Sequence, residues 1–469
     1  MPGKNIVNHL NAVVEFERTP VPPEKWKGWS KFIGMYAGEH TAGTEFVIGP
    51  MFVAHGIGAS DLLLGLLAGN LLAVLSWAFL CAPIATKTRL TLYYSLEKIC
   101  GVKLTRIYDA VNGLMFCFLA GAMIAVSATA VGIPFNLTMP SLSDWLPNSV
   151  GWVIAVLLIG AATTIVAAFG YDHVSRFANI AAPWMILVFI AAAIAILPNL
   201  GVHSPSDFWT VANEKIWTGV PLAGYSKFTF WHVMFFAWFC NMAMHIGMSD
   251  LSILRYAKKW HHGFSSAAGM FVGHYIAWVA SGILYSLFLL ESNYSFEFAP
   301  GPIAYRAAGI AGLVCVILAG WTTANPTIYR AGLALQAMKP TWKTWKVTFL
   351  VGTITSLAAC FPALVMKLLD FVALYGLLLM PMGAIILMDF YIIPKIGLKQ
   401  NFSEAFGRSF NMAAALTWVI CLGFCLFLNL YYKVEIFFLG LPGWFVAAAL
   451  YLIFSKFVQK NYVKRSVGL

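Results

Sequence analysis

Apolar runs of about 20 residues recur along the whole chain, and that is the length of helix needed to cross a ~30 Å hydrocarbon core. Twelve candidate spans can be drawn, at 29–56, 60–84, 105–132, 150–170, 178–199, 228–253, 263–290, 303–329, 346–366, 368–393, 411–431 and 436–456. Of the 469 residues, 60% are hydrophobic and 10% charged, against roughly 25% charged in soluble domains. A soluble enzyme, a nucleic-acid binder and a disordered scaffold are excluded together. The expected fold class is an all-α polytopic membrane protein with 12 transmembrane helices.

The formal net charge of +11 does not restore nucleic acid as a partner, because the basic residues are sorted by loop. All but five of the 30 Lys and Arg fall in the N-terminal segment or in loops on its side; the five are Lys215, Lys227, Arg306, Lys367 and Lys433. This is the positive-inside pattern. It puts both termini in the cytoplasm and the basic face against anionic inner-leaflet lipid. Residues 1–28 are polar and interrupted by Pro20, Pro22 and Pro23, unlike a signal peptide. Compact loops fit a bacterial inner membrane. The expected organisation is a cytoplasmic segment at 1–28, a ten-helix transport core at 29–393, two further helices at 394–456 and a cytoplasmic tail at 457–469.

Interruptions in the helical pattern locate the function. The first span reads FIGMYAGEHTAGTEFVIGP, with Gly34, Gly38, Gly43 and Gly49-Pro50 punctuating Glu39, His40, Thr41, Thr44 and Glu45. Two carboxylates on a lipid-facing helix are costly, and an unwound stretch lining a polar cavity is cheaper. The competing reading is that these glycines only let helices pack closely. The sixth span carries Asn241, His245 and Gly247 at its centre. Spans 1 and 6 are five apart, as two inverted five-helix repeats require, and breaks in matching positions mark a transporter's binding site. In the eighth span, AGWTTANPTIYRAGL, Ala319, Thr322 and Thr323 share one helix face. Paired hydroxyls suit a hard cation, although buried threonines commonly bond back to their own helix. Pro326 frees the carbonyl of Thr322.

WTTANPTIYRAGL at 321–333 resembles the eighth-helix signature of cytosine permeases in the nucleobase–cation symporter family. GNLLAVLSWAFLCAPIATKTRLTL (69–92), AAFGYDHVSRFANIAAP (167–183), SDLSILRYAKK (249–259) and MPMGAIILMDFY (380–391) are similar to their counterparts, so the resemblance covers most of 30–393. It implies a five-plus-five inverted repeat with two extra helices and sodium-driven uptake. By position, the implied sodium ligands are Glu39 and Gly43 with Ala319, Thr322 and Thr323. The chain departs from the family where substrate is read. Phe116 and Leu119 stand at the permeases' helix-3 glutamine and tryptophan, the helix-6 aromatic aligns near Asn241 to Ala243, and Glu39 stands at a sodium-ligating glycine. Fold and coupling carry over better than cytosine does.

The candidate pocket joins Thr44, Glu45, Phe116, Leu119, Trp238, Phe239, Asn241, His245 and Asn325. Aromatic walls with few polar groups suit a flat nitrogen heterocycle. Glu39 and Glu45 leave several roles open: extra charge for sodium, a protonatable coupling group, a partner for a cationic substrate, or structural neutralisation by His40 and His245. The expected function is sodium-coupled import of a nucleobase-like heterocycle by alternating access. The alternative is proton-coupled transport of a cationic amine or vitamin precursor. An enzyme is disfavoured: the sequence has no H-E-x-x-H, G-x-S-x-G or phosphate-loop pattern. No cofactor is expected beyond the coupling ion.

Overall fold

The computed structural model describes residues 10–11, 15–140, 144–290, 300–363 and 368–466, with the backbone alone for 368–373 and 462–466. Lys4, Lys367 and the end of the ninth expected span at 364–366 lie outside the described residues. Among those described, only two isolated bridges interrupt an all-helical chain, Lys27 to Ala257 and Gly58 to Thr218.

The first expected span is two helices, α1 (Ser30–Glu39) and α2 (Glu45–Ala54). Then come α3 (Ala59–Thr88), the amphipathic α4 (Leu92–Cys100), α5 (Val102–Val131), α6 (Val150–Ala168) and α7 (Tyr171–Leu200). The sixth span is three pieces, α8 (Phe230–Phe239), α9 (Met242–His245) and α10 (Leu251–Leu254). The remainder are α11 (Trp260–Leu290), α12 (Pro300–Met338, kinked where Gly309 takes φ +56°), α13 (Thr344–Ala359), α14 (Leu368–Tyr391), α15 (Met412–Tyr432) and α16 (Ile436–Ser466). Nine helices among the described residues are long and apolar enough to cross a membrane. The first and sixth spans fall short because they are broken, and α13 because it has 16 residues. The last helix continues ten residues past its expected end at 456.

Each break has a local cause. Between α1 and α2, residues 40–44 leave the helix, and the Thr41 hydroxyl donates to the freed Ala37 carbonyl at 2.7 Å. Gly43 is needed for close approach rather than for its backbone angles: a Cβ there would lie 2.2 Å from Cγ1 of Val126 on α5. After α9 the chain turns through Met248, a non-glycine residue at φ +65°. That conformation costs on the order of 1 kcal/mol. Three backbone bonds hold it, from Gly247, Ser249 and Asp250 N–H to the carbonyls of Met242, Ala243 and Met244, at 2.8 to 3.1 Å. α11 contains a π-helical stretch, Ala268–Tyr275, whose Gly269 and Gly273 lie against the first break. A Cβ on either would come within 2.6 Å of His40.

The basic loops and the terminal segments share one face. Lys27 exchanges backbone bonds with Tyr256 and Lys258, Arg18 pairs with Glu97, Lys343 reaches Asn11, and Lys399 bonds Gln459. The N-terminal segment is built into this face: Glu15 is buried and accepts from the hydroxyls of Tyr256 and Tyr329 at 2.7 and 2.6 Å. Two cations counted with the loops are not solvated at all. Arg255 and Arg330 are both at 0% exposure, and Arg330 lies inside α12, which runs on to Met338 rather than ending near 329.

α5 and α12 pack through glycine. A Cβ on Gly320 would lie 2.1 Å from the Ser127 hydroxyl and 2.3 Å from the Met123 carbonyl, a backbone atom that cannot swing aside. Gly320→Val is therefore expected to destabilise the protein by roughly 1–3 kcal/mol or more. Gly423→Ala, where nothing lies within 4 Å, should leave the thermal midpoint in detergent unchanged or slightly raised.

Candidate ion and substrate site

The breaks of the first and sixth spans meet α3, α11 and α12 around a buried charge cluster. Arg330 on α12 reaches Glu39, at the end of α1, with both terminal nitrogens, one of them at 3.2 Å from Oε2. Its Nη2 also lies 2.7 Å from Oδ1 of Asp250, in the turn between α9 and α10. The second oxygen of Asp250 accepts from the Tyr36 hydroxyl at 2.8 Å and from the Trp77 indole at 2.7 Å. All three charged side chains are buried. Breaking such a cluster by removing one member costs several kcal/mol, because an uncompensated charge stays behind.

Glu39 faces two ways. Its carboxylate belongs to Arg330, while its main-chain oxygen accepts from the Thr323 hydroxyl at 2.9 Å. Thr323 and Thr322 also lie 3.1 and 3.2 Å from the Ala319 carbonyl. The expected residues Glu39, Ala319, Thr322 and Thr323 thus gather as four neutral oxygens, two carbonyls and two hydroxyls. Both threonines do bond back to their own helix, as the competing reading held, and Thr323 reaches across to α1 as well. Gly43 stands beside Gly320 of α12: a Cβ on it would lie 3.8 Å from the Gly320 nitrogen. Its carbonyl accepts from Phe46 N–H at 3.4 Å.

The other expected residues divide. Glu45, at the start of α2, accepts from the Trp278 indole, and its Oε1 lies 3.6 Å from Nε2 of His274. The Trp278 and His274 rings stack with centroids 4.4 Å apart. Half-buried Asn241 lies 3.2 Å from His40 Nε2 and 3.5 Å from His274 Nδ1, bridging the two imidazoles. Half-buried Thr44 sits beside Glu45 as the cap of α2. His245 accepts no part in neutralising the glutamates; it bonds the Trp238 carbonyl at 3.0 Å and packs on Trp77. Trp238 donates to Ser76 on α3 at 3.2 Å. Phe239 turns away, toward Gly376 of α14 and Gly440 of α16. Phe116 packs on Tyr375, whose hydroxyl bonds Asn112 at 3.1 Å, and half-buried Leu119 lies one turn further along α5. Asn325 is buried and neither amide atom has a partner among the described residues, which leaves its hydrogen-bonding capacity for a ligand or water.

Sequence reasoning missed Asp250, Arg330, Trp77, Trp278 and His274. The last was accessible by the test applied to His245, a histidine inside an apolar span.

A chain of this kind is defined by its fold as a five-plus-five inverted-repeat membrane protein of the LeuT type, with the first helix of each repeat broken at the site. No family model matches it, and no curated protein does. Solved structures do. Mhp1, a nucleobase-cation-symport-1 family transporter in a closed conformation with bromovinylhydantoin bound, is similar at a TM-score of 0.72 and 13% identity, over 95% of this chain and 96% of its own. The inward-facing conformation of Mhp1 is similar at 0.72 and 14%, over 94% and 93%. A Na+-coupled sialic acid symporter, substrate-bound and outward-open, is similar at 0.67 and 14%, over 93% and 90%. At these identities the likeness is one of fold, and it agrees with the family resemblance carried by 321–333.

Arg330→Met is expected to cost about 3–5 kcal/mol, since it strands Glu39 and Asp250 as unpaired buried carboxylates. Adding Glu39→Gln and Asp250→Asn should recover much of that loss in thermal unfolding of the detergent-purified protein. A triple variant no more stable than the single one would contradict this account of the cluster.

Proposed function

We propose that the protein is a sodium-coupled secondary transporter that brings a small planar nitrogen heterocycle into the cell, with both termini in the cytoplasm. The observation that carries the reading is the 2.9 Å contact between the Thr323 hydroxyl and the Glu39 carbonyl. It closes the α12 hydroxyl pair onto the break of the first span and gathers neutral oxygens where a hard monovalent cation is held without a dedicated carboxylate. Sodium there would be bound by Glu39 through its main chain, with Ala319, Thr322 and Thr323, and with Gly43 contributing through the shape of the break. The Glu39 carboxylate is not part of this set, because Arg330 holds it.

The heterocycle reading draws on the rings around the two breaks. Trp77, Trp278, His40 and His274 offer stacking surfaces, while Asn241, Thr44 and Asn325 offer edge hydrogen bonds. That a transporter of similar fold binds bromovinylhydantoin supports a ligand of this kind. Substrate and ion then meet at the same broken segment, so that filling one site orders the other. That is coupling by a shared element.

The test is thermal stability of purified protein in sodium or choline chloride, with a panel of nucleobases, hydantoins and pyrimidine vitamin precursors. A ligand of the folded state alone, at ~100 times its dissociation constant, adds ~2.7 kcal/mol. The expected result is stabilisation by sodium that a planar heterocycle increases. Thr323→Ala should raise the sodium concentration for half-maximal stabilisation by roughly tenfold, ~1.4 kcal/mol. An unchanged sodium titration would remove Thr323 from the site.

A further inference from the structure

Away from the two breaks, sulfur gathers where α14, α15 and α16 meet. Cys421 and Cys425 stand four residues apart on α15, so they share one helix face. No other two cysteines of the chain lie within one helical turn of each other. That face meets Gly443 of α16 and Met380 of α14. Around the place a Cβ on Gly443 would take, the Cys425 sulfur is 2.7 Å away, the Cys421 sulfur 3.8 Å and the Met380 methyl 2.6 Å. Cys421 also donates to the Gly443 carbonyl at 3.1 Å. Cys421, Cys425 and Met380 are buried, at 0%, 1% and 0% exposure.

The rest of the buried face of α15 is Ala413, Ala414, Thr417 and Trp418. Its buried sulfur is therefore confined to the two positions at Gly443. One turn along α16, the notch at Gly440 takes a further sulfur: Sδ of Met242 on α9 lies 2.6 Å from where a Cβ would be. Sulfur side chains serve as soft fillers of irregular gaps, and that role alone would leave them without a ligand. Two thiols and a thioether around one point are also a donor set. Thiolate and thioether select monovalent copper, whereas sodium and magnesium take oxygen. A structural zinc site takes four donors, and the cluster has three.

We propose that Cys421, Cys425 and Met380 form a binding site for a soft monovalent metal ion, copper(I) or its analogue silver(I), separate from the sodium oxygens. Loading breaks the S–H bond of Cys425, forms a sulfur–metal bond and releases the proton to water. The Cys421 thiol and the Met380 thioether coordinate as neutral donors, and no electron is transferred. One thiolate and one monovalent cation cancel, so the loaded site carries no net charge into an apolar helix bundle. The ion ties α14 to α15 across the notch in α16. α14 also packs on the sixth span, where Gly376 lies against Phe239 and Met242, so loading stiffens one wall of the ten-helix core.

The site is tested without sodium or substrate. Purified protein in detergent is loaded with silver nitrate, or with copper(I) held by a bicinchoninate competitor, then desalted and its metal counted by mass spectrometry. The expected result is a single tightly held ion per chain, kept in Cys360→Ser and lost in the double variant Cys421→Ser, Cys425→Ser. Met380→Leu should weaken binding by about tenfold or more, the scale at which even outer-shell changes act. Equal metal in the double variant and the wild type overturns the proposal, as does a wild type that holds no ion against the competitor. Should the double variant fail to fold, the wild type decides. X-ray absorption at the copper edge should then show sulfur as the nearest shell, and nitrogen or oxygen in its place overturns the proposal. A missing sodium response in the thermal assay would remove the transport reading and leave these outcomes unaffected.

Discussion

A guanidinium with no access to water has to be matched where it lies, and Arg330 is matched by two carboxylates from segments that are not helical neighbours of each other. Glu39 comes from the end of α1 and Asp250 from the turn between α9 and α10. Neither segment satisfies its backbone as a continuous helix would, and in a membrane that deficit is tolerated only against protein or a polar cavity. The cluster supplies the protein. Tyr36 and Trp77 complete the coordination of Asp250, and Tyr93 closes the other side by donating to the Arg330 carbonyl at 3.0 Å. The broken geometry of two spans is thereby fixed to the part of α12 that follows its kink at Gly309.

Glu39 joins the charge cluster to the oxygens of the proposed sodium site. A shift of Glu39 moves its carboxylate against Arg330 and its carbonyl against Thr323 together. The backbone at residues 40–44 is held between α5 on one side and the π-helical stretch of α11 on the other, with Gly43, Gly269 and Gly273 removing the side chains that would keep them apart. A segment so placed responds as a unit, which is what coupling between an ion and a substrate at one break requires.

Much of this could be read from the sequence, for reasons that differ by residue. The breaks were legible because glycine and acidic residues inside an apolar run conflict with a lipid-facing helix. The face shared by Ala319, Thr322 and Thr323 was legible because helical periodicity alone sets it. The partner of Glu39 was not legible: Arg330 is 291 residues away, and it follows an apolar run at the point where a loop was expected to begin. Charge sorting by loop treats every cation as solvated, so it absorbed Arg255 and Arg330 as topology signals. Phe239 parts from the other expected pocket residues: adjacent residues on a helix point about 100° apart, and this one faces α14 and α16 rather than following Trp238.

Entry of radioactive sodium into proteoliposomes, measured with and without an external planar heterocycle, tests the central claim most directly. The account predicts that sodium entry rises only when the heterocycle is present, and that heterocycle uptake stops when choline replaces sodium. Heterocycle uptake at the same rate in choline would contradict it.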